Sequence, residues 1–146
     1  MPKPDAQRYV DVARHHYDVF VLLASASRAA DAVHSTDWQV VLLYYVLCIE
    51  VKALGSCRGK ELQDHYAIKQ WLNSEADLLS IAKTYRKAEE WSRDARYEGR
   101  DFTTDELRRY HQWFAEVERR VRGLLTNEDV RLPVAFEPAD YLFNRA

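Results

Sequence analysis

The sequence predicts an all-α, single-domain antiparallel bundle of four long helices, with one short helix between the second and third long ones. Three observations carry this. All four prolines (Pro2, Pro4, Pro133 and Pro138) lie near the termini, so none breaks a helix in the middle of the chain. The four glycines, Gly55, Gly59, Gly99 and Gly123, fall at or just past the ends of segments with helical apolar spacing, where C-terminal caps belong. No strand alternation of useful length interrupts that spacing.

The first helix is expected from about Asp5 to Val33, on a stripe of Tyr9, Val12, His16, Phe20, Leu23 and Ser27 at three- and four-residue steps. Thr36 followed by Gln39 reads as a capping box that opens a second helix, Trp38 to Leu54. That segment is apolar on nearly every side and is the expected buried centre. A short third helix follows from about Glu61 to Leu72. Ser74 with Asp77 reads as the cap of a fourth, in which Leu78, Ile81, Tyr85, Ala88 and Trp91 share a face and which runs to about Tyr97. After the Gly99-Arg100-Asp101 turn, Thr103 and Glu106 form another capping box. The fifth helix then carries Leu107, Tyr110, Phe114, Val117, Val121 and Leu124 as its stripe. The bundle thus occupies residues 1–125. From 126 to 146 the pattern stops, and Val134, Phe136, Tyr141, Leu142 and Phe143 are spread along a Pro-containing stretch. An extended tail is expected there, either packed on a groove or a partner, or loose as termini commonly are.

With 47% hydrophobic and 30% charged residues and a net charge of −2, the chain is neither disordered nor a bulk nucleic-acid coat. The apolar run Val40–Ile49 is about half of what a bilayer span requires. The Met1-Pro-Lys-Pro start lacks the apolar stretch of a signal peptide, so no membrane and a cytoplasmic location are expected. Cys48 and Cys57 form no CxxC pair, and the five histidines offer neither HExxH nor an i, i+4 pair. No metal and no cofactor are therefore expected, and no Walker loop, GxGxxG or GxSxG occurs.

What remains is His65, in Asp64-His65-Tyr66, and the run Trp91-Ser92-Arg93-Asp94-Ala95-Arg96-Tyr97. At three- and four-residue spacing, Arg93, Arg96 and Tyr97 project from one helix face. Two guanidinium forks and a phenol suit a phosphate or carboxylate; equally, Asp94 and nearby glutamates could neutralise the arginines structurally. Trp38, Tyr44 and Tyr45, and Tyr110, Trp113 and Phe114, fit core packing better than base stacking, because they follow the apolar stripes. His111, beside Tyr110 and Trp113, is expected to pack.

The order of these segments resembles the HEPN domain family over about residues 8–125. It runs from a long first helix through an apolar helix with Tyr44-Tyr45 to Asp64-His65-Tyr66, then Leu78-Leu79, Tyr85-Arg86-Lys87 and Ser92-Arg93-Asp94-Ala95-Arg96-Tyr97. The resemblance implies a compact helical bundle that forms a homodimer. It implies RNA-directed activity, either as a metal-independent endoribonuclease or toxin of a toxin–antitoxin or phage-defence system, or as a non-catalytic module binding RNA, a nucleotide or a protein. An antitoxin, a nucleotidyltransferase or a neighbouring defence protein would be the partner. Active members carry Arg-x(4–6)-His near the start of the late helix, whereas here the Arg93 segment continues without a histidine. On this reading the catalytic candidates are His65, as proton carrier, and Arg93. Arg96 holds the phosphate with Arg93, Tyr97 donates a hydrogen bond or stacks a base, and Arg58 stands at the rim. These residues are expected to converge in one cleft once the third helix folds back along the fourth.

Overall fold

A computed structural model describes residues 4–29 and 35–132, and among them every regular element is helical. The five helices are α1 (Pro4–Ala29), α2 (Thr36–Cys57), α3 (His65–Ser74), α4 (Leu79–Glu98) and α5 (Thr104–Leu125). The expected end of the first helix at Val33 and the tail beyond Leu132 lie outside the described residues.

α2 is the centre, as its apolar composition requires, with Val40, Leu43, Tyr44, Val46, Val51 and Leu54 fully buried. It is also long and apolar enough to cross a membrane, but 72% of its most apolar stretch is buried within the bundle. α1 packs chiefly against α2, on a stripe that shares Phe20 with the expected one and otherwise lies one residue further along. Ala6, Val10, Ala13, Tyr17, Phe20 and Ala24 are buried, whereas Val12 is exposed and His16 half-buried. The alanines let the two backbones approach, and the larger residues of the neighbouring stripe then border the surface. Gly55 serves a similar purpose near the end of α2. A Cβ there would lie 2.8 Å from Leu62 Cδ1 and 3.2 Å from the Lys60 carbonyl, so the loop folds back over bare backbone.

Two of the three expected capping boxes are not formed, and in each a tertiary partner holds one member of the pair. Thr36 is the first residue of α2, and its Oγ1 accepts from the Phe102 N–H at 3.0 Å, tying the α4–α5 turn to the start of α2. Gln39 donates to Ser35 Oγ instead. Ser74 closes α3 by donating to the Trp71 carbonyl, while Asp77 receives both arms of Arg58, so α4 starts later, at Leu79. α3 also starts later than Glu61. Asp64 is its N-cap, accepting from the Ala67 N–H at 2.7 Å.

The Thr103–Glu106 box has both reciprocal bonds, each 3.1 Å. Replacing Thr103 by Ala should therefore cost about 1 kcal/mol in urea unfolding, with no change in far-ultraviolet circular dichroism. Gly99 ends α4 at a φ of 62°, a conformation that a side chain would strain. Arg100 then bridges Asp94 and Glu106 and lies 4.6 Å from the ring centres of Trp91 and Phe102, which fixes the turn into α5. Past α5 the chain returns to α1, where Gln7 exchanges two hydrogen bonds with the Arg131 backbone. Val130 and Leu132 pack against the core there.

Candidate functional site

Short loops on both sides of α3 make it a hairpin partner of α4, so the first residue of α3 lies beside the last turns of α4. His65 and Arg96 meet there. His65 Nδ1 is 2.6 Å from Tyr44 Oη, and His65 Nε2 is 3.4 Å from the Arg96 guanidinium. Tyr44 Oη is also 3.1 Å from Tyr85 Oη. Guanidinium nitrogens only donate, so Nε2 is the accepting nitrogen and the neutral ring carries its proton on Nδ1, donated to Tyr44. Burial and then the Arg96 charge hold the His65 pKa below the ordinary histidine value; Glu89 opposes them, and Lys52 and Lys69 add to them. The imidazole is thus neutral at neutral pH. Burial pushes the Tyr44 and Tyr85 phenols upward, so both stay protonated.

Among the described residues Arg96 has no carboxylate partner. Its guanidinium lies 5.6, 5.8 and 5.3 Å from the ring centres of Tyr44, Tyr45 and Tyr97, and its Nε donates to the Ser92 carbonyl. A guanidinium held against aromatic faces and a neutral imidazole keeps most of its donors available to an incoming anion. Tyr97, 77% exposed, forms the outer wall.

The remaining expected site residues are placed elsewhere. Arg93 is half-exposed and pairs with Glu89, whose buried carboxylate also receives Lys69 at 3.7 Å. One turn along α4 is a shorter reach than the hairpin gap, so the i, i+4 pairing captures it. Arg58 is not at the rim. It pairs in bidentate fashion with Asp77, at 3.0 and 2.6 Å, and pins the loop after α2 to the α3–α4 connection.

Tyr44 and the lining of a neighbouring cleft were not expected at the site from sequence. Tyr44 is buried among apolar neighbours, as core packing implies, yet its hydroxyl is the partner of His65. Next to His65 a cleft of about 430 Å³ is bordered by His16, Tyr45, Cys48, Ile49 and Lys52, with Gln63 and Asp64 across from them. The signal available in sequence was Lys52, a charge on an apolar helix whose ammonium must reach water and so marks where that helix meets the surface. A larger groove of about 590 Å³ between α4 and α5 mixes Glu116, Arg119 and Arg120. Its Glu116 and Arg120 already bond Thr84 and the Asp77 carbonyl.

Cys48 and Cys57 are free and buried, and burial raises the Cys48 thiol. Among the described residues no group of three or more His, Cys, Asp or Glu could hold a metal ion. No family model, no curated protein and no solved structure matches the chain.

Proposed function

We propose that this chain is an HEPN-like, RNA-directed protein that holds an RNA phosphate on Arg96 beside His65 and acts as a metal-independent endoribonuclease. The supporting observation is the Arg96–His65 pair, a guanidinium with no counter-ion among the described residues next to an imidazole kept neutral. A phosphate entering between them would take donors from Arg96 and leave the His65 Nε2 lone pair to accept the proton of a 2′-hydroxyl. Tyr44 holds the ring for that role through Nδ1. The same reading makes the chain a homodimer, with Trp38 and Tyr97, 60% and 77% exposed, as apolar surface for a second copy. An antitoxin, nucleotidyltransferase or defence protein remains the partner class that the resemblance brings.

A second reading is favoured by one observation. Arg93 is spent on Glu89, so the site has one phosphate-holding arginine where two were expected, and a non-catalytic module binding RNA, a nucleotide or a protein needs no more. Arg96→Ala separates both readings from a structural role. Affinity for single-stranded RNA should fall about tenfold, and the salt dependence of binding should flatten by about one phosphate contact. RNA binding unchanged in both respects, or absent from the wild type, would overturn the RNA reading.

A further inference from the structure

The cleft beside His65 has a composition that the phosphate site alone does not explain. One wall is a pair of rings, His16 and Tyr45, with centres 6.0 Å apart and planes inclined by 29°. Cys48 and Ile49 give it an apolar base, and Lys52 and Gln63 give it polar edges. Neither Lys52 nor Gln63 has a hydrogen-bond or ion-pair partner among the described residues. The cleft opens next to Arg96, because two of its walls, His65 and Tyr45, are also the groups that Arg96 touches.

We propose that this cleft is a nucleobase subsite, which takes the base of the nucleotide whose phosphate lies on Arg96. The inference rests on the RNA reading and specifies what that site binds besides phosphate. A flat aromatic ligand matches a wall made of rings, and base stacking on such walls is tolerant of sequence. The polar edges select against an alkyl or purely apolar occupant, which would strip water from Lys52 and Gln63 and return no hydrogen bond. A base carries ring nitrogens and exocyclic groups along its rim, so it can stack on the rings while Lys52 donates and Gln63 donates or accepts. The volume of about 430 Å³ suits one small-molecule-sized unit, which a nucleoside is and a folded peptide element is not.

The test compares nucleoside 5′-monophosphates with ribose 5-phosphate by titration of the wild-type protein in nuclear magnetic resonance. At least one of the four monophosphates should bind about tenfold or more tightly than ribose 5-phosphate, the range that stacking a base supplies. Its ring current should shift the Ile49 methyl resonances, and ribose 5-phosphate should not. Ile49→Trp, which fills the cleft, should erase the preference for monophosphate and leave ribose 5-phosphate binding as it was. Arg96→Ala should weaken both ligands. If all monophosphates and ribose 5-phosphate bind alike, or the Ile49 methyls do not respond, the base subsite is wrong while phosphate binding stands. If single-stranded RNA binds but no monophosphate does, the subsite is likewise wrong. Loss of the RNA reading itself would show as absence of RNA binding in the wild type. The methyl shifts are read on the unsubstituted protein, so a misfolded Ile49→Trp variant does not remove the test.

Discussion

His65→Ala is expected to lower cleavage of single-stranded RNA by about 10²- to 10⁴-fold, the usual contribution of a positioned general base, with EDTA present throughout. The variant should keep the wild-type fold, since His65 is half-buried at the first position of α3 and Asp64 caps that helix independently. Arg93→Ala should change cleavage far less, because its guanidinium is engaged by Glu89. The pH profile supplies a second check. A base works deprotonated, and burial with the neighbouring Arg96 keeps the His65 pKa below its ordinary value. The rate should therefore hold through neutral pH and fall only in acid, at a pH below the ordinary histidine value. Equal rates for wild type and His65→Ala would remove His65 from catalysis. An inactive wild type that still binds RNA through Arg96 would leave the binding-module reading in its place.

The largest stability effect is expected at His111. The ring is buried on α5, 5.4 Å from Phe20, and burial lowers its pKa to about 4 from the ordinary 6.5. The sign follows from proton uptake. Above pH 6.5 the ring is neutral in folded and unfolded chains alike, and its contribution is intact. As pH falls from 6.5 toward 4 the unfolded chain takes a proton that the folded chain refuses, so stability is lost, by about 3 kcal/mol at the end of that window. Glu50 and Glu118 act in the opposite direction. Burial raises both carboxyls, Glu50 further by the Glu118 charge, while Arg122 lowers each; their contribution is present in acid and is lost as pH rises through their raised values. Urea unfolding of wild type and His111→Gln at pH 7 and pH 4 isolates the histidine. The variant should gain about 3 kcal/mol relative to wild type between the two pH values, whatever fixed difference the substitution itself introduces. A difference that stays constant with pH would rule out the buried neutral imidazole as the source of acid lability.

The helices were legible because a 3.6-residue apolar period is a property of short windows; of the four glycines, Gly99 and Gly59 stand at helix ends as expected, whereas Gly55 and Gly123 lie inside α2 and α5. Thr103–Glu106 formed as read because both partners lie within one turn and nothing else competes for them. Thr36–Gln39 and Ser74–Asp77 have the same local spacing but face long-range competitors: the Phe102 N–H took the Thr36 hydroxyl and Arg58 took the Asp77 carboxylate. The stripe of α1 was misplaced by about one residue for a related reason. Two adjacent stripes carry apolar residues, and the choice between them depends on how closely α1 can approach α2, which the small Ala6, Ala13 and Ala24 decide.

The site divides along the same line. Residue type and order alone determined an all-helical chain and a buried α2, and they singled out His65, Arg93, Arg96, Tyr97 and Arg58 as candidates without telling which of them meet. The Glu89 partner of Arg93 lies one helical turn away and was within reach of the sequence, whereas only the tertiary structure decided that His65 meets Tyr44 and Arg96, that Arg58 is neutralised by Asp77, and that Lys52 borders a cleft. Local spacing sets which groups can meet within a turn of helix. An arginine pairs with whichever carboxylate the packed chain brings within about 3 Å, and that distance is fixed by how α2, α3 and α4 pack together.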